Sequence, residues 1–205
     1  MAEKRIYLAS RSPRRRELLK QIGVSFELLL LREDARRGVD VDETPLTGEA
    51  PSDYVLRIAR AKAEVAAVRV AQRRLQLYPV LAADTTVVLD EEVIGKPRDG
   101  EHAARILAML AGREHSVITA VALATRERLE SGLSISSVEF RVLSPAEIQR
   151  YIACGEPFDK AGAYAIQGRA AAFVTRISGS YSGIMGLPLA EAAELLQKCG
   201  IEVLG

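Results

Sequence analysis

Apolar positions along the chain change their period several times, and each change marks an element. Ile6–Ala9 is a short apolar run, and Ser12-Pro13 has the chemistry of a helix N-cap followed by the first helical position. Leu18, Leu19 and Ile22 then share one helical face, which Gly23 ends. VSFELLLL, residues 24–31, reads as a strand, so the chain opens strand, polar turn, helix, strand. Residues 32–51 are polar, with glycine and proline, and predict a loop or an extended connection.

A long helix is expected from Ser52 to Arg74, and PVLAAD (79–84) and TVVLD (86–90) predict two strands. A turn at Asp90-Glu91-Glu92 leads into VIGKP, and a helix follows from Gly100 to Leu110. HSVITAVALA and LSISSVEFRVL predict two more strands. In SPAEIQRYIA, Ser144 is the cap, Pro145 lies in the first turn and Glu147 takes the capping-box position. A glycine-rich stretch over 162–186, a helix from Pro188 to Lys198 and a last short strand complete the chain. With no internal repeat, low-complexity tract or linker, residues 1–205 predict one α/β domain whose long central sheet divides it into two lobes around a cleft.

Composition narrows the partners. The 28 Lys+Arg nearly balance the 27 Asp+Glu, whereas a dedicated nucleic-acid binder carries a basic excess that neutralises phosphates. Cys154 and Cys199 supply neither a disulfide framework nor a zinc spacing, which fits a reducing compartment. No run has the length of a signal peptide core or a membrane span, so a cytoplasmic protein without membrane or nucleic-acid partners is expected.

Several stretches carry candidate chemistry, each with a plainer alternative. In ASRSPRRR, a strand meets a helix N-terminus, a ready anion site; Ser10, Ser12, Arg14 and Arg15 would hold phosphate there, or Ser12 merely caps and the arginines are solvated. Arginines in a first helical turn oppose the helix dipole, which argues against a purely helix-stabilising role. Lys62 falls on the apolar stripe of Val55, Ile58, Ala59 and Ala66, so it either snorkels to water or meets an anion. Asp84 follows an apolar run where a strand would emerge into a cleft, and it either binds a cation, takes a proton, or caps the strand. Gly95-Lys96-Pro97 presents a lysine on a constrained loop, and Asp40, Asp42 and Glu43 form an acidic segment. Asp159-Lys160 precede Gln167, an amide able to read a base edge. The chain has no GxxxxGK[ST], no GxGxxG and no HExxH, and only His102 and His115 among histidines. What remains is a set for positioning a metal-bound polyphosphate and one base.

Taken in order, IYLASRSPRRRELLKQIGVSFE, VDETP, YVLRIARAKA, AADTTVVLDEEVIGKPRD, LAGREHSVITAVAL, DKAGAYAIQG and GSYSGIMGLPLAE resemble the Maf family of nucleoside triphosphate pyrophosphatases. DKAGAYAIQG is similar to the branch acting on dTTP and UTP rather than on 7-methyl-GTP. The resemblance implies an ITPase-like α/β fold, a long mixed sheet flanked by helices. It implies hydrolysis of pyrimidine nucleoside triphosphates, ordinary or modified ("house-cleaning"), to the monophosphate and pyrophosphate. A divalent cation (Mg2+, Mn2+ or Co2+) would assist, and a homodimer is compatible with it. Asp84 matches the family's proton-accepting aspartate; Arg14, Thr85 and Gln167 match specificity positions; Ser10, Arg15, Glu43, Lys62 and Lys96 match other polar residues of the cleft. On this basis Asp84, Glu43, Lys62 and Lys96 are the expected catalytic group, Ser10, Arg14 and Arg15 the phosphate ligands, and Glu43 and Asp84 the metal ligands. Asp159 and Lys160 form a second tier. Arg11 stands where a small residue is usual, and Gly183 where asparagine is common. Because the family was first linked to inhibition of septum formation, the alternative is a nucleotide sensor regulating division without significant turnover.

Overall fold

The computed structural model describes residues 5–32 and 38–203; part of the predicted 32–51 connection, at 33–37, lies outside them. The fold is α/β, as the pattern predicts. Seven strands form one mixed sheet in the order β2-β1-β3-β5-β6-β7, with β4 also paired to β3. The strands are β1 (Ile6–Leu8), β2 (Phe26–Leu28), β3 (Val80–Leu89), β4 (Glu92–Ile94), β5 (Glu114–Ala124), β6 (Leu129–Phe140) and β7 (Val174–Ser178). Pairings of β1 with β2 and β3 are parallel and all others antiparallel. Six helices accompany them among the described residues: α1 (Pro13–Gln21), α2 (Pro51–Gln72), α3 (Gly100–Leu110), α4 (Pro145–Ala153), α5 (Tyr181–Ile184) and α6 (Leu189–Lys198).

The helix ends follow from their sequences. Ser12 caps α1 through its side chain with Pro13 in the first position, and Ser144 and Glu147 form the reciprocal capping box of α4. Asp99 caps α3 by accepting the His102 N–H at 2.7 Å.

Side-chain alternation along β3 and β5 sorts the core between two faces. Val80, Ala82 and Val88, with Ile118, Ala120 and Ala122, pack against Val55, Ala59, Ala63 and Ala66 of α2. Leu81 and Ala83, with Val121 and Leu123, pack against Leu18 and Leu19 of α1 and Leu195 and Leu196 of α6. Further along that second face, Val87, Leu89 and Val117 meet Ile106 and Leu107 of α3 and Ile148 of α4. One helix therefore covers one face, and the remaining helices cover the other.

Four predicted boundaries change. PVLAAD and TVVLD are one continuous strand, because the polar Asp84-Thr85-Thr86 does not interrupt the ladder of Val80–Val88 with Ser116–Ala124. Asp84 is thus a mid-strand residue, not a strand end. VSFELLLL forms a strand only over Phe26–Leu28, since its sole neighbour β1 stops at Leu8 and the ladder ends with Leu29 N–H on the Leu8 carbonyl. The glycine-rich stretch contains β7, an edge strand of largely exposed residues with no apolar alternation to announce it. The expected last strand does not form over 201–203, where Ile201 instead buries against the α6 side of the core, and 204–205 lie outside the described residues. No helix among the described residues is long and apolar enough to cross a membrane.

His115 on β5 is 3% exposed, wedged between Phe140 and Tyr164 with its Nε2 2.8 Å from the Tyr164 hydroxyl. Burial disfavours the imidazolium and pushes its pKa down to about 4, against 6.5 for the ordinary side chain. Between those values the unfolded chain binds a proton that the folded one does not, so stability falls as pH drops from 6.5 toward 4. His115→Gln, which cannot titrate, is expected to flatten this fall by about 3 kcal/mol at its acid limit, as read from urea unfolding at stepwise pH. Parallel curves for the two proteins would contradict it.

Candidate active site

The paired edges of β3 differ, and this difference makes the site. One edge is bonded to β5 throughout, whereas the other meets β1 only at Val80 and Leu81 and β4 only from Val87 to Leu89. Between them, over residues 82–86, that edge has no strand partner, and a cleft of about 870 Å3 opens there. This is the size range of small-molecule sites. Residues from both faces of the sheet line it, including Asp84 from one and Thr85 from the other.

On the α2 face, Lys62 resolves its ambiguity by pairing. Its Nζ lies 2.7 Å from Asp84 Oδ1 and 2.7 Å from Glu43 Oε1. The side chains of Lys62 and Asp84 are 16% and 11% exposed, so each desolvated charge has a partner as burial demands. Tyr54 of α2 donates its hydroxyl to the Glu43 carbonyl at 3.0 Å, and desolvation together with Asp84 and Glu43 pushes its pKa up to about 12. Asp40 does not face the cleft chemistry. It accepts from the Arg32 N–H at 2.9 Å and side chain at 3.0 Å, and from Arg69 of α2, anchoring the segment that carries Glu43. Burial would raise its pKa, but these hydrogen bonds outweigh that and hold it down to about 2. Asp42 accepts the nearby Thr44 N–H at 2.9 Å.

The turn between β1 and α1 forms another wall. Ser10 is buried, and its hydroxyl oxygen accepts the Ser12 N–H at 3.1 Å. Arg14 and Lys96 line the cleft and have no hydrogen-bond or ion-pair partner among the described residues, which leaves their charge available to an anion. Arg15, expected beside Arg14 as a phosphate ligand, also lines the cleft and is hydrogen-bonded within the chain. Its Nε donates to the Gly186 carbonyl at 2.7 Å and its Nη1 to the Ala83 carbonyl at 2.7 Å, with Ser10 Oγ at 3.3 Å and Thr85 Oγ1 at 3.2 Å. Desolvation lowers its pKa, partly offset by Asp84. The half-buried guanidinium fastens the turn before α1, β3 and the Gly186 turn together, because its planar fork can satisfy several acceptors at once.

On the opposite face, Val87, Val117, Ile184 and Met185 give the cleft an apolar wall, completed by Tyr164, Ala165 and Ile166. Gly162 permits this wall: a side chain there would collide with Val87 at 2.7 Å, and its φ of +70° suits glycine. Its N–H donates to the Gly95 carbonyl at 3.2 Å, tying the wall to the end of β4. Gln167 stands exposed at the rim. Lys160 and Asp159 also line the cleft, where the Lys160 ammonium donates to the Glu156 and Phe158 carbonyls and pairs with the exposed Asp159, bracing their own turn. Thr119, which sequence reasoning passed over, is fully buried beneath Thr85 as its cross-strand partner; only the register of β3 on β5 reveals it.

Glu43 and Asp84 converge on one ammonium, so their oxygens lie near a common point and suit a hard divalent cation. No cluster of three or more acidic, histidine or cysteine side chains exists among the described residues, so substrate oxygens and water would have to complete such a cation's shell.

A family model described as Maf-like protein matches residues 5–199. A protein named dTTP/UTP pyrophosphatase from Nitrosomonas europaea is 59% identical, the match covering 97% of this chain and 96% of that one. Proteins of the same name from Nitrosospira multiformis (56%, covering 98% and 97%) and Aromatoleum aromaticum (58%, covering 96% and 96%) are similar throughout. Among solved structures, the Staphylococcus aureus Ham1 protein is a loose likeness, with a TM-score of 0.47 at 15% identity over 96% of this chain and 97% of that one.

Because Asp40 has a folded pKa near 2 against 3.8 for the ordinary side chain, its contribution is present above about pH 4 and is lost as pH falls toward 2. Asp40→Ala removes the anchor at every pH. Limited proteolysis is expected to cut faster within residues 38–45 of the variant, with an unchanged far-UV spectrum; equal cutting rates would show that the segment is held by something else.

Proposed function

The chain belongs to the Maf-like protein family, and we propose from that premise that it is a pyrophosphatase hydrolysing dTTP and UTP to the nucleoside monophosphate and pyrophosphate. The observation that carries the reading is the Lys62-centred group: a buried carboxylate, Asp84, held at 2.7 Å by an ammonium at the open edge of β3, beside the cations Arg14 and Lys96, which have no partner among the described residues.

Chemistry of this kind depends mainly on positioning and on charge. Water attacks the α-phosphorus in line with the bond to the bridging oxygen, which breaks as pyrophosphate leaves. Asp84 takes the proton of the attacking water, and Lys62, 2.7 Å from its Oδ1, holds that carboxylate in position. Arg14, Lys96 and the Ser10 hydroxyl bind the phosphates at the N-terminal end of α1, where the helix dipole also favours negative charge. Glu43 and Asp84 are the residues that would hold a divalent cation (Mg2+, Mn2+ or Co2+), and when bound it would neutralise triphosphate charge. The apolar wall of Val87, Val117, Ile184 and Met185 suits the face of a base, and Gln167 at its rim offers an amide to the base edge. Arg15 enters this reading as a support, not as a ligand.

Incubation with dTTP or UTP and Mg2+ is expected to release pyrophosphate and monophosphate in equal amounts. Binding without release would make the protein a nucleotide sensor instead. Asp84→Asn is expected to lower turnover by at least about 100-fold with an unchanged melting curve, since Glu43 remains to pair Lys62; near-normal turnover would remove Asp84 from the chemistry. Gln167→Ala is expected to reduce the preference for UTP over GTP by about 1–3 kcal/mol, read as the ratio of kcat/KM values, and an unchanged ratio would take Gln167 out of base reading.

A further inference from the structure

Thr85 and Asp84 are neighbours on one strand, so their side chains leave opposite faces of the sheet. Thr85 belongs to a line of polar groups that runs from the cleft into the core. Arg15 Nη2 lies 3.2 Å from Thr85 Oγ1, Thr85 Oγ1 lies 3.0 Å from Thr119 Oγ1, and Thr119 Oγ1 lies 2.8 Å from the Gly183 carbonyl oxygen.

The two ends of this line are chemically fixed. A guanidinium only donates and a carbonyl only accepts, whereas each hydroxyl has one proton. Two oxygens 2.8 Å apart need a proton between them, and only Thr119 can supply it to Gly183. Thr119 then has no proton left for Thr85, so Thr85 donates to Thr119 and accepts from Arg15. The Thr85 proton is therefore turned into the sheet, and what its oxygen shows the cleft is a lone pair.

We propose that Thr119 and Arg15 are positioning residues that hold the Thr85 hydroxyl as an acceptor, so that the cleft selects bases carrying an imino N–H. Uracil and thymine present N3–H there, whereas cytosine presents an unprotonated N3. The inference rests on the nucleotide reading given above and deepens it. Beside the apolar wall of Val87, Val117, Ile184 and Met185, an acceptor facing an acceptor would be desolvated and unpaired. A site built to pair one polar group rejects its mismatch strongly for this reason. Thr119 is fully buried and touches no substrate; it acts only through the direction of one hydroxyl. Arg15 holds its end of the line because the Gly186 and Ala83 carbonyls fix the guanidinium plane.

The test compares kcat/KM for UTP and CTP in the wild type, Thr119→Val and Thr119→Ser. Valine matches threonine in shape, and the Gly183 carbonyl keeps the Gly186 N–H at 2.9 Å, so the substitution leaves no orphaned acceptor. The wild type is expected to favour UTP. Thr119→Val frees the Thr85 proton to face the cleft and is expected to lower the UTP/CTP ratio about tenfold, chiefly by improving CTP, while Thr119→Ser keeps the wild-type ratio. If the valine variant fails to fold, Thr119→Ala gives the same readout. Arg15→Lys, which keeps the charge but not the fork, is expected to lower the ratio too, whereas a phosphate ligand would depress both substrates alike. An unchanged ratio in Thr119→Val, or no UTP preference in the wild type, overturns the proposal. Absence of pyrophosphate release from any triphosphate overturns the enzymatic reading instead, and the same ratio is then taken from dissociation constants, with the same expected and overturning results.

Discussion

A strand that is fully paired along one edge and broken along the other is the constraint on which the site depends. The β5 side of β3 holds the strand straight through Asp84-Thr85-Thr86, three polar residues inside a sheet core. The other side, divided between β1 and β4, leaves a stretch that no strand covers. Without the first edge the polar residues would not stay in register; without the break they would have no access to a ligand. Alternation then makes one strand serve two faces. Asp84 turns to α2 and its lysine, and Thr85 turns to the apolar wall beyond the sheet.

Charge at the break is sorted by burial. Lys62 leaves an apolar helix stripe and is stabilised only because Asp84 and Glu43 meet it. Arg15 donates to two carbonyls and two hydroxyls, which ties it into the frame. Arg14, one residue earlier and on another side of the same helix turn, has no such partners among the described residues and stays available. Two adjacent residues of identical chemistry thus differ in partners because a helix turns about 100° per residue. Their sequence neighbourhood contains nothing that separates them.

Local signals were legible wherever a short stretch carries its own physics. Ser12-Pro13 and the Ser144–Glu147 pair mark helix starts because capping is settled within four residues. The apolar stripe of α2 shows its buried face with Lys62 upon it, and Asp84 stands out after an apolar run, whereas the grouping of Ser10, Glu43, Thr85, Lys96 and Gln167 with them is what the family resemblance implied. β7 and the shortened β2 were not legible, because an edge strand exists by virtue of its neighbour's edge rather than of its own pattern. Thr119 escaped notice for a related reason: in VITAVALA it is one small polar residue among apolar ones, and its meaning comes entirely from the residue across the ladder.

The amino-acid sequence by itself therefore determined the helices and most of the strands, the α/β class, and the inventory of cations, carboxylates and the amide, since propensity, capping and periodicity are local properties. The tertiary structure alone decided which arginine is hydrogen-bonded within the chain, why a lysine can sit on an apolar stripe, and which groups a hydroxyl in the core meets. Those decisions depend on partners up to 171 residues apart in the chain, as between Arg15 and Gly186. A donor's role is fixed by the acceptors that surround it in space, and only folding assembles them.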